Sequence, residues 1–286
     1  VVAAGVTRVN GRVLGDASRY DDEFFHPSWD PALHGLEAGP IDALMVNDSW
    51  LANSFNSSRD VAADPALRTA EVFTQLLRER GVPVGQGSAV GVSEFGTEIA
   101  GIDSQPMSAI VQEMLLTSDD NTAEVLVKEM GSQSGSGGTT AAGLEVVLDT
   151  LAGWEMPLIG VSLVDGSGLS RDNLVTCSLL VSILHRGSPN DPLGVGLPVA
   201  GATGTLVDEF LGTPVAGRLQ AKTGSLTDVK ALAGYLPVDG GDTIEFAVIL
   251  NEPGAKTEDV YRRVWDALAV SLVTYPSSAT SDQLAP

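Results

Sequence analysis

Apolar and polar positions along the chain divide it into stretches of differing legibility. Asp64-Pro65 opens a clear amphipathic run: Ala66, Val72, Phe73, Leu76 and Leu77 recur near helical spacing, and Gly81 closes it, which predicts a helix over about 65–80. Residues 107–131 are also helical in pattern, broken at 117–121 by Thr-Ser-Asp-Asp-Asn. That cluster suits the N-cap of a second helix over Thr122–Met130, with Gly131 as its cap. Further helices are expected over about 139–152, Thr176–Arg186 and Glu258–Val273, and from Ala200 to Phe210. Strand patterns fall at about 217–223, 230–237 and 243–251, with a short one at Val161–Val164.

The N-terminal stretch is less regular. Residues 4–17 read as two strands joined at Asn10-Gly11, a strong hairpin dipeptide. Through about residue 58 the periodicity is poor, apart from a short strand expected at Ile41–Val46. Ser88 to Ile102 reads as strand, turn and strand. Helices around an antiparallel sheet give an α+β fold class, with a helical subdomain and a small β-rich N-terminal part.

Charge narrows the function classes. Of 286 residues, 37 are acidic and 16 basic, for a formal net charge of −21. Such a surface repels phosphate backbones and anionic lipid, so no nucleic-acid partner is expected. No stretch is long and apolar enough for a transmembrane helix, and no signal peptide is visible ahead of Gly5. Cys177 has no partner for a disulfide and lies in an apolar run, where a buried small hydrophobe is expected.

Several chemistries lack their residues. There is no Gly-x-Ser-x-Gly elbow, zinc helix, P-loop or dinucleotide turn. His26, His34 and His185 have no metal-ligand spacing, so no metal or cofactor is expected. Three stretches remain: Ser118-Asp119-Asp120-Asn121-Thr122-Ala123-Glu124, Asp165-Gly166-Ser167-Gly168-Leu169-Ser170, and Ala221-Lys222-Thr223-Gly224-Ser225-Leu226. Gly204-Thr205-Leu206 and Gly217-Arg218-Leu219 precede the last. Singly, each also reads as architecture: Ser118 as a helix cap, the Asp-Gly-Ser-Gly as a tight turn, Lys222 as a solvated strand-end lysine.

In this order the stretches resemble the low-molecular-mass penicillin-binding proteins with a large inserted domain, the D-Ala-D-Ala carboxypeptidase/endopeptidase family. Gly5 to Val13 and Asp16-Ala17-Ser18 look like part of that inserted region. The resemblance implies a penicillin-recognising serine transpeptidase/β-lactamase-like fold, with residues 1–60 a remnant of the insert and 61–286 the catalytic domain without its first segment. It implies serine-type hydrolysis of peptidoglycan stem peptides through an acyl-enzyme, inhibition by β-lactams, and an extracytoplasmic location.

Roles follow the same resemblance. Ser118 would relay a proton, and Lys222 would place a positive charge near the substrate's terminal carboxylate. Thr223 would hydrogen-bond that carboxylate, Gly224 would let the substrate backbone approach, and the Ser225 N–H would be half of an oxyanion hole. Asp120 or Asn121 would contact substrate.

Two departures stand out. Asp120 occupies the family's asparagine position when Ala123-Glu124 is aligned, with Asn121 one place later. An ionised carboxylate cannot donate the hydrogen bond that an amide can. Secondly, no serine has a lysine three positions later, so the family's Ser-x-x-Lys nucleophile motif does not occur. Truncation and true loss are both open, and the chain by itself is expected to be inactive. A non-catalytic peptidoglycan-binding relative and a β-lactamase on the same fold are the alternatives.

Overall fold

A computed structural model describes residues 1–51, 60–92 and 95–277. The chain forms two compact units, each discontinuous in sequence. Unit 1 comprises Val1–Ser104, Asp120–Thr150 and Leu163–Asn173; unit 2 comprises Gln105–Asp119, Leu151–Ser162 and Leu174–Pro286. The division proposed at residue 60 concerns where an inserted region ends, which compactness does not address.

In unit 1, helix α1 (Pro65–Glu79) starts where Asp64 accepts the Leu67 N–H and ends at Gly81, whose φ of +80° suits a residue without a side chain. Leu77 packs with Val82, Val84, Val9 and Val13. The hairpin expected at Asn10-Gly11 does not form. Instead the chain runs on past it, and β1 (Val13–Gly15) pairs in parallel with β2 (Ser88–Val90). Val9 and Val13 donate to Pro83 and Gly87 carbonyls, so a long-range ladder outcompetes the local turn. The strands expected at 41–46 and after residue 94 are likewise absent, those residues being irregular where described; the turn between falls partly on residues 93 and 94, outside the described residues. Ile41 is buried through its own N–H bond to Phe24 and its packing on Trp29.

Helix α3 (Asp120–Ser134) is the spine of unit 1, and it begins and ends outside the expected span. Gly131 does not cap it. A β-carbon there would lie 2.8 Å from the Gly143 nitrogen, so the glycine permits close packing on α4 (Thr140–Gly153) instead. Lys128, 1% exposed, bonds the Asp21 carboxylate and the Glu23 carbonyl. Next to it Glu129 receives Arg19 at 2.7 and 2.5 Å and the Tyr20 hydroxyl at 2.9 Å. The guanidinium's hydrogen bond leads in drawing the Glu129 carboxyl down to about 2.

Unit 2 is built on an antiparallel sheet, β3 (Gln220–Leu226), β4 (Val229–Pro237) and β5 (Thr243–Asn251), in that order. β4 is buried on both faces. Leu232 and Leu236 join Trp265, Tyr261 and Ala269 of α7 (Glu258–Val273), whereas Ala233 and Tyr235 on the alternate face meet Leu184 of α5 (Cys177–Arg186). Helices therefore cover opposite faces of the sheet, as the fold class requires. The helix expected from Ala200 is only a single 3-10 turn at Gly204–Leu206, because Gly201 and Gly204 adopt positive φ. Nor does the strand expected at 161–164 form; Ser162 makes an isolated bridge to Leu174. Cys177 is exposed rather than buried, since the first turn of α5 turns it outward.

Candidate active site

Helix α2 (Met107–Thr117) ends because Ser118 takes the left-handed conformation, φ 60° and ψ 52°, while its N–H bonds the Met114 carbonyl. For a residue with a β-carbon this costs roughly 1–2 kcal/mol, and strain of this kind collects at functional sites. α2 is held by the close approach of two glycines. Gly196 in α6 (Pro192–Gly196) would put a β-carbon 2.8 Å from the Gln112 Cα, and Gly204 one 2.4 Å from the Leu116 carbonyl oxygen.

Strand β3 is the edge of its sheet, and only its beginning is covered. The Ala221 N–H donates to Pro198 and the Ala200 N–H to Leu219, each at 2.9 Å. Backbone groups alternate between the two edges of a strand. Thr223 and Ser225 therefore turn their N–H and C=O groups to the same side as Ala221, past the point where 198–200 covers it. Among the described residues no further strand pairs there.

The side chains meet at this edge. Lys222 Nζ donates to Ser118 Oγ at 2.6 Å and to the Thr223 carbonyl at 2.8 Å. Thr223 Oγ1 lies 2.8 Å from Thr205 Oγ1. Gly224 lies on the strand with only the Ala231 β-carbon near where its own would be, at 3.3 Å, and Ser225 is exposed. Unit 2 thus brings together Ser118, Lys222, Thr223, Gly224 and Ser225 within one helix end and one strand. Thr205 is the member to which no role was attached; its signal was the Gly-Thr-Leu ahead of the strand.

Asp120 and Asn121 belong to unit 1. Asp120 is the first residue of α3, where the helix dipole favours a carboxylate. Asn121 is 2% exposed, and its carboxamide is committed to the irregular N-terminal chain. Its Oδ1 accepts the Gly39 N–H at 2.9 Å, and its Nδ2 donates to the Gly39 and Asp48 carbonyls at 3.3 and 3.4 Å. The Asn121 amide is therefore engaged within unit 1.

The Asp165–Ser170 stretch is a turn of unit 1 in which Asp165, Leu169 and Ser170 are buried. Asp165 accepts from Trp29 Nε1 at 2.9 Å, Gly168 N at 2.8 Å, Ser170 N at 2.5 Å and Asn173 Nδ2 at 2.7 Å. Glu124 Oε1 accepts the Gly166 and Ser167 N–H groups at 2.9 and 2.7 Å. Glu124 is 1% exposed, and burial pushes its carboxyl above the usual range, with the Asp165 charge adding to the shift. Of the histidines, His26 bonds Ser28, whose hydroxyl in turn donates to Ser170, His34 stacks on Phe25, and His185 is exposed beside Glu245.

The family model for D-Ala-D-Ala carboxypeptidase 3 (S13) matches residues 49–273. The chain belongs to this family. Carboxypeptidase DacB of Mycolicibacterium smegmatis is 32% identical over 271 residues, covering 91% of this chain and 57% of that protein. The D-alanyl-D-alanine carboxypeptidase of an Actinomadura species is 33% identical over 251 residues, covering 84% of this chain and 43% of its own. This S13 chain thus spans about half the length of the curated relatives it matches. Penicillin binding protein 4 from Haemophilus influenzae shares the fold, with a TM-score of 0.63 at 24% identity over 73% of this chain and 50% of that one. Among the described residues, no helix of this S13 chain is long and apolar enough to cross a membrane.

Proposed function

We propose that the protein acts as a serine-type D-Ala-D-Ala carboxypeptidase, with endopeptidase activity on the same bond type, on peptidoglycan stem peptides outside the cytoplasmic membrane. The observation that carries this reading is the 2.6 Å bond between Lys222 Nζ and Ser118 Oγ at an open strand edge. A stem peptide lies along that edge as an added strand, its C-terminal carboxylate meeting the Lys222 ammonium and the Thr223 hydroxyl. Ser225 turns its N–H to the side on which the scissile carbonyl would sit, as an oxyanion donor must; losing such a donor costs about 10² to 10³ in rate. Ser118, already bonded to a cation, relays the proton to the leaving amine.

These residues hold substrate and stabilise charge, but none is a nucleophile with a neighbouring base. No Ser-x-x-Lys occurs in the 286 residues, so this chain alone forms no acyl-enzyme. That absence favours a second reading, a non-catalytic relative that binds peptidoglycan stem peptides reversibly. Fluorescent penicillin applied to the natural gene product separates them. Covalent label that survives denaturation supports the carboxypeptidase; reversible peptide binding with no label supports the binder and sinks the enzyme.

A further inference from the structure

The Gly204-Thr205-Leu206 turn carries no part in the chemistry described so far, yet it is fixed from three sides. Leu206 is fully buried in the core beneath the sheet. The Gly201 N–H closes the loop onto the Leu206 carbonyl at 2.8 Å, and the Gly217 N–H bonds Ala200 at 2.8 Å. Gly204, at φ +56°, sits so close to the last turn of α2 that any β-carbon would collide with Leu116. Thr205 is thereby held against β3 with its hydroxyl exposed and 2.8 Å from that of Thr223.

We propose that Thr205 is a positioning residue that turns the Thr223 hydroxyl proton toward a bound carboxylate. The inference rests on the carboxylate-reading role given above to the 222–225 edge. Each hydroxyl has one proton and can accept as well as donate. Two hydroxyls in contact share one proton between them, and the direction of that bond is open when the edge is empty. An anion beside Lys222 decides it. Thr205 then donates to Thr223, whose own proton is released to the carboxylate, and the two bonds polarise each other in the same sense. Without the Thr205 hydroxyl, the Thr223 rotor is unfixed and must be ordered when ligand binds.

The test compares an N-acyl-D-Ala-D-Ala peptide with its C-terminal amide, titrated into the chain and followed by NMR. The wild-type chain binds the carboxylate form more tightly. Thr205→Val, which keeps the side-chain shape, reduces that preference by about three- to tenfold, the worth of one hydrogen bond, and leaves affinity for the amide unchanged. Thr205→Ser restores the preference. A Thr205→Val chain that discriminates as well as wild type overturns the inference, as does a serine variant no better than valine. A wild-type chain that shows no preference overturns the carboxylate-reading edge itself.

Discussion

The Asp165–Ser170 turn in unit 1 and the Lys222–Ser225 edge in unit 2 look alike as sequence, each a small polar cluster with glycine, and differ in what their polar atoms do. At the turn the two buried carboxyl groups are engaged: Asp165 takes four donors, and Glu124 takes the Gly166 and Ser167 backbone N–H groups. At the edge the Lys222 cation touches the Ser118 hydroxyl, and the Thr205 and Thr223 hydroxyls touch each other, beside a strand whose outward backbone groups meet no further strand among the described residues. Saturated buried polar groups hold a fold, whereas polar groups at an open edge can exchange water for a ligand. On the proposed function, the first cluster belongs to architecture and the second to recognition.

The sharpest way to break this contrast is at Asp165. Asp165→Ala strands the Trp29 indole N–H and three other donors, and should cost about 3–5 kcal/mol of stability in urea unfolding. A loss under 1 kcal/mol would mean the turn is not structural. Lys222→Ala should do the opposite. Calorimetric or NMR titration should show a ten- to hundredfold weaker affinity for an acyl-D-Ala-D-Ala peptide, roughly the worth of a charged hydrogen bond, with the unfolding midpoint nearly unmoved. Gly166→Ala comes next. Its new β-carbon would sit 2.7 Å from Val127 Cγ2 and 2.9 Å from the Ala123 carbonyl oxygen, so overpacking should cost about 1–3 kcal/mol in thermal unfolding.

The smallest effect concerns pH. Because burial raises the Glu124 carboxyl, the folded chain holds its proton to higher pH than the unfolded chain does. Its contribution to stability is full below the ordinary carboxylate range and is lost as pH rises through the raised folded value. Glu124→Gln keeps an acceptor for the two backbone donors and removes the charge. The melting temperature of the variant, measured relative to wild type, should rise across that window; a constant difference from pH 4 to 8 would contradict the assignment.

How much the sequence disclosed depended on range. Helix α7 and strand β5 matched their patterns, because a Trp265-Ala269-Val273 stripe and an apolar run with turns at both ends are local signals. The hairpin at Asn10-Gly11 failed for the reverse reason: residues 83–91 offered a better partner than the chain's own next strand. Gly131 reads as a helix stop in sequence and Gly204 as a position within a helix, and only the packing against α4 and α2 shows both to be close approaches. Ser118 and Lys222, 104 positions apart, are joined in the sequence by family resemblance alone. Their contact is set by glycines 196 and 204 against α2, a geometry that no spacing in the chain displays.

Backbone amide shifts test the central claim most directly. On titration with an N-acyl-D-Ala-D-Ala peptide, the N–H signals of Ser118, Thr223 and Ser225 should move together with a single saturation curve, while those of Gly166, Ser167 and Ser170 stay in place. Shifts centred on the 165–170 turn, or none at Thr223 and Ser225 under saturating peptide, would contradict it.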